Sequence, residues 1–229
     1  MKDKLILAFK KFVYYHFNVF NYRGKKARES VFDIAKQEEQ IFENSKYTVG
    51  IVKEKWYLHS SYIKACKDLN ISYTVIDFFS KDWFEDLKSK KIDILIVRPS
   101  VQYTPWKDMF DNRLKLLKDN YDIPVFPNFS ELWIWESKLR TLDFLKLNKL
   151  PHPKSYIFYD LDELFDFSSK CNYPIVYKAS SGSGASGVKI LNNAYQLRQT
   201  AKKVFNSGIR SYRKHKLDKE HGFIILQDY

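Results

Sequence analysis

The sequence predicts an α/β protein: a small parallel sheet with helices on its faces, followed by an α+β unit built around one hairpin. Two observations carry this expectation. Between residues 47 and 126, short β-branched runs alternate with amphipathic stretches of helical length, the rhythm of strands joined by crossover helices. Further on, residues 174–191 place eight consecutive small residues, Ser180 to Gly187, between two strand-like runs, and three of the chain's seven glycines fall among those eight. That pattern reads as a strand, a pliant turn and an antiparallel return strand.

The elements follow in order. Residues 5–20 are apolar and aromatic but interrupted by Lys10, Lys11 and His16, too short and too charged to cross a bilayer. No small-residue cleavage site follows them. They read as a helix against the body or a partner. Lys2, Lys4 and the basic residues from Arg23 to Arg28 keep a peripheral contact of residues 1–28 with anionic lipid open as the alternative. A mixed helix is expected over 29–42, then a strand at 47–52 and a helix carrying Leu58, Tyr62, Ile63, Cys66 and Leu69. Strands at 73–76, 92–97 and 124–126 alternate with helices around 83–87 and 109–117. Ligands of such sheets gather at the carboxyl ends of the strands, here 53–56, Phe78, 98–102 and 127–128. Arg98 is the best candidate there for an acidic group, against an ordinary strand-end arginine.

A second unit begins near Ser130, which can cap a helix whose stripe is Leu132, Trp135, Leu139, Leu142 and Leu145, with Lys138 at its margin. Pro151 and Pro153 end it. A strand at 156–159 and a helix at 161–169 lead to the hairpin, where Lys178 alternates with Ile175 and Tyr177, so its ammonium points to the opposite face. The glycines and small side chains of the turn leave backbone N–H groups open to a ligand, which suits phosphate oxygens. A helix over 194–205 closes at Gly208. The basic run 210–221 is read as a solvated loop; nucleic-acid binding would want aromatics interleaved with the charges, and only Tyr212 lies there. Residues 222–229 end the chain as a strand.

Composition narrows the classes. With 45% hydrophobic and 17% aromatic residues the 229-residue chain can fill a core. Lys plus Arg number 39 against 27 Asp plus Glu, a net charge of +12 that favours polyanionic partners. Cys66 and Cys171 show no ligand spacing and read as free thiols of a cytoplasmic protein. The five histidines never fall at metal-ligating spacing, which leaves neither a zinc site nor a hydrolase triad. No Walker sequence is present, and the small-residue loop leads into a strand where a Rossmann loop would open a helix.

The order of parts resembles the ATP-grasp superfamily. The residues that carry the likeness are Lys138 followed by Leu150-Pro151-His152-Pro153, the 174–187 block with Lys178, and residues 223–229. The resemblance implies a basic aromatic segment at 1–44, a Rossmann-like pre-ATP-grasp domain at 45–129 and an ATP-grasp small lobe at 130–229, with the larger lobe missing. It implies ATP as ligand, with Lys138 and Lys178 on the α and β phosphates. Ser181, Gly182, Ser183, Gly184, Ala185, Ser186 and Gly187 would fold over the β and γ phosphates. Gln227 would lie near the adenine amino group, with the backbone of Asp228 and the hinge at Tyr229 framing the base. Magnesium is expected, with its protein ligands outside this chain. The implied activity is that of a ligase portion, not competent alone, which activates a carboxylate as an acylphosphate for attack by an amine or similar nucleophile. A non-catalytic nucleotide-binding or scaffold protein is the alternative, ahead of a basic nucleic-acid binder.

Overall fold

A computed structural model describes residues 34–182, 185, 187–210, 215 and 217–229. Residues 1–33 of the basic aromatic segment, including the 1–28 stretch of the lipid alternative, lie outside these residues, as do Ser183, Gly184 and Ser186. By its contacts the chain divides into two units, Met1–Leu132 and Trp133–Tyr229.

The first unit holds a five-stranded sheet ordered β1-β3-β2-β4-β5. Its strands are β1 (Glu39–Gln40), β2 (Thr48–Val52), β3 (Ser72–Ile76), β4 (Ile94–Ile96) and β5 (Val125–Phe126). Strands β2 to β5 pair in parallel, as the alternating pattern predicts, while β1 runs antiparallel to β3. The helices between them are α1 (Ser60–Asp68), α2 (Trp83–Ser89) and α3 (Thr104–Asn120). All of β3 and nearly all of β2 are buried, as both-face coverage of a parallel sheet demands. Val49, Ile51, Ile63, Cys66, Tyr73 and Val75 form one core cluster of this unit.

Gly50 shows how tightly β2 is held. A Cβ there would lie 2.8 Å from Ile92 Cγ2 and 2.9 Å from Leu95 Cδ1.

Two expectations fail here. The helix expected over 29–42 does not reach its end, because Glu39 and Gln40 pair with Thr74 and Tyr73 as strand β1; partners distant in sequence override the local pattern. The single helix expected from Ser130 is two, α4 (Phe129–Ile134) and α5 (Lys138–Leu147). Asn128, not Ser130, caps α4: Glu131 donates its N–H to Asn128 Oδ1 at 3.1 Å, and Asn128 returns its own to Glu131 Oε2 at 2.9 Å. The break falls where Glu136 takes a positive φ of 58° and Ser137 is extended.

The second unit holds an antiparallel sheet ordered β6-β9-β7-β8. The strands are β6 (Ser155–Phe158), β7 (Ile175–Lys178), β8 (Val188–Leu191) and β9 (Ile224–Asp228). The predicted hairpin forms, Ile175 pairing with Leu191 and Lys178 with Val188. Helices α6 (Leu161–Lys170) and α7 (Ala194–Asn206) supply Leu164, Leu197, Ala201 and Val204 to a core with Ile175, Tyr177, Leu191 and Leu226. Their N-caps are Asp160 and Asn193, each accepting from the N–H three residues on. The opposite sheet face carries Val176, Lys178, Val188, Ile190 and Gln227, with Val188 38% and Ile190 51% exposed. Among the described residues no helix is long and apolar enough to cross a membrane.

Candidate functional site

The site in the second unit starts from the helix break. Ser137 accepts the Arg140 N–H at 3.3 Å and so caps α5, which makes Lys138 its first residue. The first-turn N–H groups of a helix have no partners within it. Here Ser180 supplies them: Lys138 donates its backbone N–H to Ser180 O at 2.8 Å, and Leu139 donates to Ser180 Oγ at 3.1 Å. The root of the small-residue loop is thereby fastened to the helix that carries Lys138. The Lys138 ammonium reaches over the loop and donates to the Gly182 carbonyl at 2.6 Å.

Lys178 ends β7 on the face opposite Ile175 and Tyr177, as its alternation predicts. Its ammonium donates to Gln227 Oε1 on the adjacent strand β9, two positions beyond its register partner Ile225. Burial lowers the Lys138 pKa and the nearby Lys178 charge adds to this, while Glu136 and Glu220 oppose it. The two lysines therefore share one electrostatic neighbourhood.

Of the remaining predicted residues, Ser181 and Gly182 continue the strand end. Ala185 (φ 59°) and Gly187 (φ 156°) turn the chain back, and Ala179 donates to Gly187 O at 2.7 Å to close the loop's base. Asp228 donates its N–H to Lys154 O at 2.9 Å, so only its carbonyl can serve a ligand's edge. Tyr229 is 78% exposed.

Glu220 is the residue the sequence reading missed. It pairs with Ile209 in an isolated β-bridge, and its carboxylate accepts the N–H groups of Ser180, at 2.8 Å to Oε2, and Ser181, at 3.4 Å. Its charge also adds to burial in pushing the Tyr177 hydroxyl pKa upward. The available signal was weak: an acid that, with Asp218, follows a run holding five basic side chains in 210–219 and lies two positions before Gly222 and the last strand.

In the first unit, the strand ends hold a polar cluster bonded largely within itself, although His59 Nε2 and Gln102 Oε1 are buried without a hydrogen-bond partner. Glu54, 1% exposed, accepts from Trp56 N at 2.8 Å, Leu58 N at 3.0 Å and Gln102 Nε2 at 3.3 Å. Burial nonetheless raises its pKa, against the Arg98 charge. Arg98 thus faces an acid of its own unit. His59 Nδ1 accepts from Glu54 N at 3.2 Å, and burial lowers its pKa.

For magnesium, no group of three His, Cys, Asp or Glu side chains gathers among the described residues. Glu220 is already spent on two amides. The described carboxylates do not fit a magnesium site, and no chemical step is taken through the metal.

Residues 141–220 match the family described as carbamoyl-phosphate synthase L chain, ATP binding domain. That interval contains Lys178, the loop and Glu220, and stops short of β9. No curated protein sequence matches the chain.

Among solved structures, an ATP-grasp RimK domain protein from Sphaerobacter thermophilus is 11% identical with a TM-score of 0.52, over 80% of this chain and 63% of its own. The biotin carboxylase domain of Hydrogenobacter thermophilus 2-oxoglutarate carboxylase, in complex with MgADP, ADP and bicarbonate, is 16% identical with a TM-score of 0.56 over 84% and 45%. N5-carboxyaminoimidazole ribonucleotide synthetase from Thermotoga maritima is 19% identical with a TM-score of 0.51 over 80% and 46%. The chain thus spans from under half to under two thirds of the length of these structures. Residues 141–220 thus match an ATP-binding domain family, and the chain shares its fold with ATP-grasp structures.

Proposed function

We propose that this chain is the ATP-binding portion of a carboxylate-activating ligase. The observation that carries the reading is that Lys138 and Lys178 both lie by the root of the Ser/Gly loop, beside a sheet face that leaves Val188 and Ile190 exposed. Two ammonium groups and a turn of small residues suit a triphosphate, whose charge must be neutralised as its terminal group moves. The apolar side chains of Val176, Val188 and Ile190 on that same face offer a nucleobase and ribose a surface. The base amino group would donate to the Asp228 carbonyl, with Tyr229 at the hinge.

Lys138 and Lys178 would hold the α and β phosphates, and residues 181–187 would close over the β and γ phosphates. Lys178 would exchange Gln227 Oε1 for phosphate oxygen, and Gln227 would turn toward the base. A substrate carboxylate oxygen then attacks the γ-phosphorus, the bond to the β-phosphate oxygen breaks, and ADP leaves. An amine or similar nucleophile attacks the resulting acylphosphate and expels inorganic phosphate. Both chemical steps belong to the assembly containing this portion.

Titration calorimetry of the full chain with ATP and magnesium tests the nucleotide part. Heat from the wild type, lost in Lys178→Ala, is the expected result. Absence of heat from the wild type removes the reading.

A further inference from the structure

We propose that Glu220 is a positioning residue of the nucleotide site: it clamps the root of the phosphate loop and stands as counter-charge to Lys138. The inference rests on the nucleotide reading above and adds a residue which that reading does not require.

The geometry has two parts. The Glu220 carboxylate accepts the Ser180 and Ser181 N–H groups at the point where β7 becomes the loop. Ser180 in turn accepts the Lys138 and Leu139 N–H groups of α5 through its carbonyl and hydroxyl oxygens. One carboxylate therefore ties three elements together: the Ile209–Glu220 bridge, the loop root and the N-terminus of α5. With the two root amides turned toward Glu220, Ser181 is left its side chain to offer a phosphate, and backbone N–H groups for phosphate oxygens begin at Gly182.

The second part is electrostatic. Groups acting on the Lys138 ammonium are Glu136 from the helix break, Glu220 from beyond the loop, and Lys178 from β7. Burial and Lys178 both favour loss of its proton, and the two carboxylates oppose them. Phosphate binding needs that proton. Removing the Glu220 charge makes the ammonium easier to deprotonate, so affinity for ATP should fail at lower pH on the alkaline side.

Two variants separate anchoring from charge. Glu220→Gln keeps a neutral acceptor for one amide; Glu220→Ala keeps neither acceptor nor charge. Hydrogen exchange of the Ser180 and Ser181 amides in the nucleotide-free protein reads the anchor alone, and should quicken at least about tenfold in Glu220→Ala, the loss of a charge-assisted hydrogen bond. ATP affinity read by fluorescent-nucleotide displacement from neutral to alkaline pH reads the rest. Glu220→Ala should weaken binding about tenfold or more, and Glu220→Gln less at neutral pH, with its alkaline limb displaced to lower pH.

Asp162→Asn, on the exposed first turn of α6, should match the wild type in both measurements. Unchanged amide exchange in a folded Glu220→Ala protein overturns the anchor whether or not nucleotide binds. A wild type that binds ATP with Glu220→Gln showing the same alkaline limb overturns the counter-charge role. A wild type that binds no ATP sinks the nucleotide reading, and the positioning role with it, while the exchange result still stands for the anchor.

Discussion

The two units use the same physical currency differently. In the first, a mainly parallel sheet is covered on both faces, and the polar groups at its strand ends, Glu54, His59 and Gln102, are folded inward on one another. In the second, one face of an antiparallel sheet carries the unit's core, and the other buries Ile225 but is open toward its β8 edge. That open face leaves Lys178 half-buried beside exposed valine and isoleucine, within reach of the Lys138 charge. Burying polar groups with their partners fixes a scaffold, whereas leaving cations over small residues keeps them ready for an incoming anion. On the function proposed above, the difference gives stability to one set of charges and ligand recognition to the other.

The largest effect should come from the second unit. Lys138→Ala or Lys178→Ala removes a charge-assisted contact of about 1.5–3 kcal/mol, so ATP affinity by calorimetry should drop roughly 10- to 150-fold. The unfolding midpoint in urea should barely move. A large loss of stability with affinity intact would break the comparison. The converse holds for Gly50→Ala in the first unit: its Cβ must displace Ile92 and Leu95, which overpacks the core by about 1–3 kcal/mol. Urea unfolding should record that loss. Smaller again is Ser137→Ala, which removes the α5 cap at about 1 kcal/mol. Because that cap presents Lys138, ATP affinity should fall along with stability, unlike a cap loss at Asp160.

Acidification sharpens the contrast within the first unit. Burial holds the His59 pKa below its ordinary 6.5, so the unfolded chain takes up that proton first. Stability is then lost as pH falls below 6.5 toward the depressed folded value. Glu54 has the opposite sign. Its raised folded value lets the native state take up a proton before the unfolded chain does, and stability is gained as pH falls through that value toward 4.5. In His59→Gln the loss between neutral pH and the carboxylate range should disappear while the gain remains, read from urea midpoints across the series. A wild-type midpoint that stays flat through this range would contradict both shifts.

Much of this was legible in residue order. The period-2 alternation of Ile175, Tyr177 and Lys178 gave the hairpin's facing, and the alternating runs from Tyr47 to Phe126 gave the parallel strands. What escaped depends on partners far away in sequence. Glu39 and Gln40 follow a helix-like stretch and become a strand only because β3 has an edge to pair. Periodicity through Leu132, Trp135 and Leu139 is continuous in the sequence, yet Ser180, more than 40 positions on, satisfies the N-terminus of a second helix. Glu220 sat in a run dominated by positive charge, so its sign was averaged away, although its hydrogen bonds are 40 residues distant. Short-range pattern identifies elements; it is silent about which backbone amide a carboxylate will find.

Strand β8 is the outermost strand of its sheet, with Val188 and Ile190 both exposed. A rim of that kind invites another chain to hydrogen-bond along it and seed aggregates. The intervening Lys189, also exposed, places a repelling cation in the middle of the rim. A neutral residue there would leave four aliphatic or neutral positions in succession. Self-association at high concentration is the cost that this single lysine keeps down.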